Sequence, residues 1–102
     1  MLSVIAEIEI ADGKREEFLS QFSQVVPLVQ AEEGCIEYGP TVDVVTEIPA
    51  QVKYRENVVT IVEKWESLDA LMAHLVAPHM DEYRDRVKHL VVGSALRVLE
   101  SV

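Results

Sequence analysis

What the sequence lacks narrows the field first. It has one cysteine, Cys35, in 102 residues, so no internal disulfide can form and no thiolate cluster can hold a metal. A single thiol suits a reducing compartment, and a cytoplasmic location is the expectation. Basic residues are scarce: nine Lys and Arg stand against eighteen Asp and Glu, a formal charge of -9. Such a surface repels phosphate backbones and anionic headgroups, which argues against nucleic-acid and membrane-surface roles. The charges are scattered, so no acidic tail is implied. No apolar run approaches the length needed to span a bilayer. The opening stretch MLSVIAEIEI lacks a basic lead and a small-residue cleavage site and carries Glu7 and Glu9; it reads as a strand, not a secretion signal. Linkers, repeats and low-complexity tracts are missing too, and the length suits one domain, 1–102.

What is present is a hydrophobic half, 49% of residues, arranged in clear periods. Leu2, Val4, Ala6, Ile8 and Ile10 alternate with more polar neighbours, the period of a half-buried strand. Asp12-Gly13 marks a turn. From Lys14 the period becomes helical, with Phe18, Phe22, Val25 and Val29 on one stripe. Pro27 interrupts that stripe, and a kink or break is expected near Val26. Gly34 is expected to close the helix in the left-handed conformation. A second strand follows from Cys35 to about Val45, with Ile36, Tyr38, Val42 and Val44 on one face. Thr46 to Glu56 reads as an exposed hairpin loop.

Asn57 to Glu66 is a third strand, rich in β-branched residues. Ser67 is a fitting N-cap for a short helix with Leu68, Leu71, Met72 and Leu75 at i, i+3, i+4 and i+7. Pro78 ends it and opens another helical segment sharing Met80, Tyr83 and Val87. The last strand is read from about His89 to Leu99. The order β-α-β-β-α-β predicts an α+β, ferredoxin-like sandwich with an antiparallel sheet. In the last strand Leu90, Val92, Leu96 and Val98 are read on one face, and Val91, Ala95 and Leu99 on the other. Helices can cover one side of such a sheet only. A second copy of the chain is the simplest cover for the other, so a homodimer is expected.

Three blocks, Glu33-Gly34-Cys35-Ile36-Glu37-Tyr38, Glu63-Lys64-Trp65-Glu66-Ser67, and Ala73-His74-Leu75 with Pro78-His79-Met80, carry a resemblance. In order and spacing they resemble the antibiotic-biosynthesis monooxygenase family, in particular its small quinol-monooxygenase-like members. The resemblance covers nearly the whole chain. It implies a dimeric α/β barrel, with a pocket between sheet and helices in each protomer. It also implies a small aromatic or quinol-like substrate and oxygenation without a cofactor. Relatives on this scaffold also include haem degraders and isomerases. The haem branch places an asparagine on the first strand, where this chain has Glu7. The charged Thr46–Glu56 loop is longer than the turn of many relatives.

The residues themselves offer a short list for chemistry. By strand alternation Glu63 shares a face with Val59, Ile61 and Trp65; a carboxylate there must find donors or hold a proton. Two readings stand: a pocket acid or an orienter of a histidine, against a structural carboxylate. His74 sits beside its helix's apolar stripe, and an imidazole near pKa 6.5 suits a general base; a histidine resting on a helix C-terminus is the other reading. His79, five residues on and across Pro78, does not form the i, i+4 zinc pair with it, so no metal site is expected, and its helix-start position favours a capping or hydrogen-bonding role over catalysis. Trp65, Tyr38, Tyr83 and Met80 could frame an aromatic ring or simply be core. Lys53, Tyr54 and Arg55 form a small basic spot that could greet an anion or lie solvated. If the resemblance extends to activity, the expectation is a cofactor-independent monooxygenase of a quinol or phenol. His74 would be its base, Glu63 the orienter, and Trp65, Tyr38, His79 and Tyr83 the substrate contacts. An isomerase on the same scaffold and a dimeric binding module for a small aromatic remain the alternatives.

Overall fold

The computed structural model describes residues 1–102. Strand β1 (Leu2–Ile10) leads to helix α1 (Arg15–Gln30), then β2 (Cys35–Val42), β3 (Val58–Trp65), α2 (Leu68–Leu75), α3 (Pro78–Val87) and β4 (Val91–Glu100). The sheet is antiparallel in the order β2-β3-β1-β4. This is the ferredoxin-like α+β arrangement, with its second helix divided in two at Pro78. The thinnest extent is 19 Å, the depth of one sheet and one helical layer. The radius of gyration is 14.1 Å, above the roughly 13 Å of a compact chain this long, because β4 and the segment 43–57 stand out from the core.

The core lies between the sheet and the helices. Val4, Ala6 and Ile10 of β1, Val59, Ile61 and Trp65 of β3, and Phe18, Phe22, Val25 and Val29 of α1 are all buried. Strand β3 alternates strictly between covered and half-covered residues, so Glu63 does point inward with its neighbours. Phe18, Phe22, Tyr38 and Tyr83 pack ring to ring, with centroids 5.5 to 6.3 Å apart, distances at which aromatic quadrupoles attract.

Helix α1 is one unbroken element across Pro27, contrary to the expected break. The ring sits on the exposed side, so the carbonyl that loses its donor faces water, while Val25 and Val29 hold the other side in the core. Helix α1 ends at Gln30, four residues before Gly34. Gly34 is left-handed, at φ 82°, but it closes the turn into β2 rather than the helix. A Cβ built there would stand 2.5 Å from the Cβ of Ala70. Glycine therefore lets α2 dock directly on the backbone.

That docking turns α2 differently from its apolar stripe. Leu68 and Met72 are exposed, while Leu71 and His74 are buried. Ser67 caps the helix as expected, its hydroxyl accepting from the Ala70 N–H at 3.2 Å. Pro78 opens α3.

Two strands depart from their readings. Strand β2 stops at Val42, since β3 begins at Val58 and Val42 already pairs with Val59. An irregularity between Cys35 and Glu37 also leaves Ile36 unpaired and half exposed. A bulge opposite Glu9 and Ile10 inserts Val92 into β4. Beyond it the faces exchange: Val91 joins Leu96 and Val98 on the helix side, and Val92 joins Ala95 and Leu99 on the outer side. Leu90 lies buried in the turn before the strand. Because the helices stop short of β4, Val92, Leu96, Val98 and Leu99 are exposed on both of its sides.

Segment 43–57 forms an arm fastened at its base. Arg55 donates its backbone N–H and Nε to Oδ2 of Asp43, at 3.1 and 2.9 Å, and its Nη1 lies 3.3 Å from Glu7. Arg15 reaches the Tyr54 hydroxyl and the Glu56 carbonyl. The basic spot read at Lys53 to Arg55 is thus largely spent on internal fastening. Val44, Val45, Ile48 and Val52 project from the arm.

Candidate active site

A cavity of about 420 Å³ opens between the sheet and the three helices. Of the residues singled out from sequence, Tyr38, Glu63, His74, Tyr83 and Met80 line it, and Trp65 and His79 do not. Ten of its fifteen lining residues are hydrophobic, so the few polar atoms there interact in a weakly screening medium. A larger hollow, about 660 Å³, lies on the outer sheet face against Glu7, Glu9, Arg55 and Glu56. Its wall is mostly polar and charged and holds none of the aromatic or histidine side chains. The smaller cavity is the better site.

His74 is the centre of the arrangement. It is 2% exposed, tilted 33° against the Trp65 ring at 4.7 Å and edge-on to Tyr38 at 5.4 Å. Its Nδ1 lies 3.0 and 3.2 Å from the two carboxylate oxygens of Glu32. Burial pushes its pKa below the ordinary 6.5, against the opposite pull of Glu32, so the imidazole is neutral at neutral pH. In that state Nδ1 carries the proton that Glu32 accepts, and Nε2 keeps a lone pair. Nε2 has no protein partner, and no sealed side-chain polar atom in the chain lacks one, so Nε2 is reachable from outside the packed core, and His74 itself lines the cavity.

Glu63 does not orient His74, as had been expected. Its Oε1 accepts the Trp65 indole N–H at 2.9 Å, and Glu32 does the orienting. Burial raises the Glu63 pKa above the usual 4.5, the Trp65 bond opposes this, and the Glu32 charge adds to it. Trp65 is fully buried, so it forms the wall behind His74 and Glu63. His79, with 23% of its side chain exposed, places Nε2 2.7 Å from Glu32 Oε2. It braces the carboxylate from the solvent side.

Tyr38 and Tyr83 present hydroxyls whose pKa burial pushes well above 10. Both stay protonated and can donate. Arg84, also on the cavity wall, is held by Nη2 donating to the Leu75 carbonyl at 2.8 Å and by Asp81 at 3.2 Å.

Glu32 and Arg84 escaped the sequence reading. Glu32 lies in an irregular turn, 42 positions from His74, and no local period marks it. Arg84 follows Tyr83 on a helix whose apolar stripe drew attention instead. Glu7 of β1 pairs with Arg55 on the far side of the sheet.

Comparison with known proteins agrees with this fold. The family model described as Antibiotic biosynthesis monooxygenase matches residues 1–86. The Escherichia coli (strain K12) protein named "Probable quinol monooxygenase YgiN" is 42% identical over 98% of this chain and 97% of its own length. Among solved structures, PA3566 from Pseudomonas aeruginosa superposes with a TM-score of 0.81 at 22% identity, covering 99% of this chain and 93% of that one. A conserved protein from Methanosarcina mazei Go1 gives 0.84 at 19%, covering 99% and 92%. The two solved structures share the α+β fold, and the family match and the 42% identical relative place this chain in the antibiotic biosynthesis monooxygenase family.

Proposed function

We propose that the protein is a cofactor-independent monooxygenase of a quinol or related phenol, with His74 as the general base. The observation that carries this is the open Nε2 lone pair of a neutral, carboxylate-held His74 in a largely apolar cavity. The 42% identity to a protein named as a quinol monooxygenase supports the substrate class. A cavity of about 420 Å³ falls within the range of about 300–1,000 Å³ usual for small-molecule sites.

The chemistry needs no external reductant on paper. A quinol and dioxygen give a hydroxyquinone and water: one oxygen atom bonds to a ring carbon, the other leaves as water, and the quinol supplies all four electrons. His74 Nε2 takes the phenolic proton, and the electron pair stays on the substrate oxygen. A phenol near pKa 10 and a base at or below 6.5 are mismatched by at least about 3.5 units, or about 5 kcal/mol. The Tyr38 and Tyr83 hydroxyls and the Arg84 guanidinium line the same cavity and would offset much of this by favouring the oxyanion. Glu63 lines the same cavity, with its pKa raised by burial and its Oε1 engaged by the Trp65 indole.

The functional unit is proposed to be a homodimer joined through the outer sheet face, where Val92 and Leu99 are exposed at opposite ends of β4 and Ile5 pairs with Val62 between them. A cytoplasmic site of action fits the single free thiol of Cys35. No helix is long and apolar enough to cross a membrane.

The test is turnover of menadiol under ¹⁸O-labelled dioxygen, against a no-protein control. Protein-dependent uptake with one label in the hydroxynaphthoquinone supports monooxygenation. Oxidation to the unlabelled quinone with hydrogen peroxide would make the protein an oxidase. Binding seen through Trp65 fluorescence without turnover would make it a binding module, and oxygen-independent conversion an isomerase.

A further inference from the structure

We propose that Glu32 is the positioning residue of this site: it fixes His74 in the Nδ1–H tautomer and balances the imidazolium formed when Nε2 takes the substrate proton. The proposal rests on the reading of His74 as the base, and it assigns a role to the only side chain hydrogen-bonded to that imidazole.

Three observations lead to it. Both Glu32 oxygens lie within hydrogen-bond reach of His74 Nδ1, at 3.2 and 3.0 Å, so the carboxylate faces the ring nitrogen directly. The Glu32 side chain is 14% exposed, shielded enough for its charge to be felt. His79 Nε2 donates to the same Oε2 from the other side at 2.7 Å, which holds the carboxylate in place against rotation. A ring nitrogen bonded to a carboxylate is a donor, and the other nitrogen is then the acceptor. Without Glu32, nothing else on the protein specifies which nitrogen carries the proton. The tilted contact with Trp65 and the edge-on contact with Tyr38 restrain the plane of the ring but are blind to its tautomer.

The proton bookkeeping is simple. The substrate O–H bond breaks, a new N–H bond forms at Nε2, and Nδ1–H remains bonded to Glu32. The result is an imidazolium–carboxylate pair, in a cavity where a lone cation would be costly. The titratable and charged groups around His74 come from several elements: Glu32 after α1 and His79 and Arg84 of α3 act on it, Tyr38 of β2 meets it edge-on, and Glu63 of β3 lines the same cavity. Arg84 and His79 oppose a positive His74, and Glu32 favours it. Removing the Glu32 charge should therefore make His74 harder to protonate.

The experiment combines histidine ring ¹⁵N NMR on the purified, substrate-free protein with the pH dependence of menadiol oxidation. The native protein should show neutral His74 protonated at Nδ1. Glu32→Gln keeps an acceptor oxygen, so the tautomer should persist, while kcat falls by about tenfold to a hundredfold, KM stays within about twofold, and the acid limb of the pH profile moves to lower pH. Glu32→Ala should move the ring proton to Nε2, and Glu32→Asp should restore part of the lost rate. A native Nε2–H tautomer overturns the proposal, as does a Glu32→Ala variant that keeps both tautomer and pH profile and loses only thermal stability. The NMR arm needs no turnover, so a protein inactive on every quinol would remove the proposed function while the tautomer still decides the role of Glu32.

Discussion

The two sides of the molecule are finished to different degrees. Beneath the helices the large side chains are enclosed: Trp65 and Phe18 are wholly buried, and the polar Glu63 and His74 are held by Trp65 and Glu32, with only Nε2 of His74 left without a protein partner. On β4 and along the 43–57 arm, by contrast, Val44, Val45, Val52, Val92 and Leu96 are each half exposed or more. The closed side is a complete core with one cavity left in it, and the open side has apolar surface and few partners. Isolated apolar residues on a surface mean little, but a strand exposed on both faces and an arm carrying four aliphatic side chains are what an interface requires. The candidate site belongs to the closed side, and the proposed dimer contact to the open one.

Glycine substitutions sharpen that contrast most strongly. Gly34→Ala must accept a left-handed φ of 82° and a contact 2.5 Å from Ala70, and it should cost about 2–4 kcal/mol in urea unfolding. Gly39→Ala, on the outer face with nothing within 4 Å of its new methyl, should change stability by less than about 0.5 kcal/mol. Equal costs at the two sites would remove the distinction. Next in size is assembly. Leu99→Asp, at a position 46% exposed in the single chain, should leave the fold intact and weaken the proposed dimer by about tenfold or more in sedimentation velocity. A native protein already monomeric at tens of micromolar would contradict the assembly reading.

A smaller effect is expected at the exposed Pro27. Pro27→Ala restores a helix donor, and part of that gain is lost to a more flexible unfolded chain. It should raise stability by about 1–2 kcal/mol, and a loss would mean that the ring does something for α1 that burial does not show. The last effect is in pH dependence. His74 has its folded pKa lowered from 6.5, so below pH 6.5 the unfolded chain binds more protons and stability falls as pH falls through that window. Glu63 has its folded pKa raised from 4.5, so above pH 4.5 the folded chain binds more protons and stability declines toward the folded value. Thermal melts across pH should lose the first slope in His74→Gln and the second in Glu63→Gln, which keeps an oxygen for the Trp65 indole.

Much of this architecture was legible because the closed side obeys simple periods. The alternation in β3 placed Glu63 inward, the stripe Phe18-Phe22-Val25-Val29 faced the core, and Ser67 and Pro78 marked the helix starts. What the periods missed follows from contacts between distant segments. The stripe of α2 pointed to Leu68 and Met72, but the fit of Ala70 onto Gly34 turns that helix so that His74 lies at the centre of the buried face. The bulge at Val92 exchanges faces in β4 through pairing with β1, and a strand read alone cannot reveal it. Glu32 was invisible for the same reason: its meaning comes only from two histidines that the fold brings to it.

The most direct test of the central claim sets native protein and His74→Ala side by side in an oxygen electrode with menadiol at neutral pH. If His74 is the base that takes the phenolic proton, the variant should remain folded by circular dichroism and lose protein-dependent uptake by about 10²-fold or more. A folded His74→Ala protein that consumes oxygen at the native rate would contradict the account, and the proton acceptor would have to be sought elsewhere on the cavity wall.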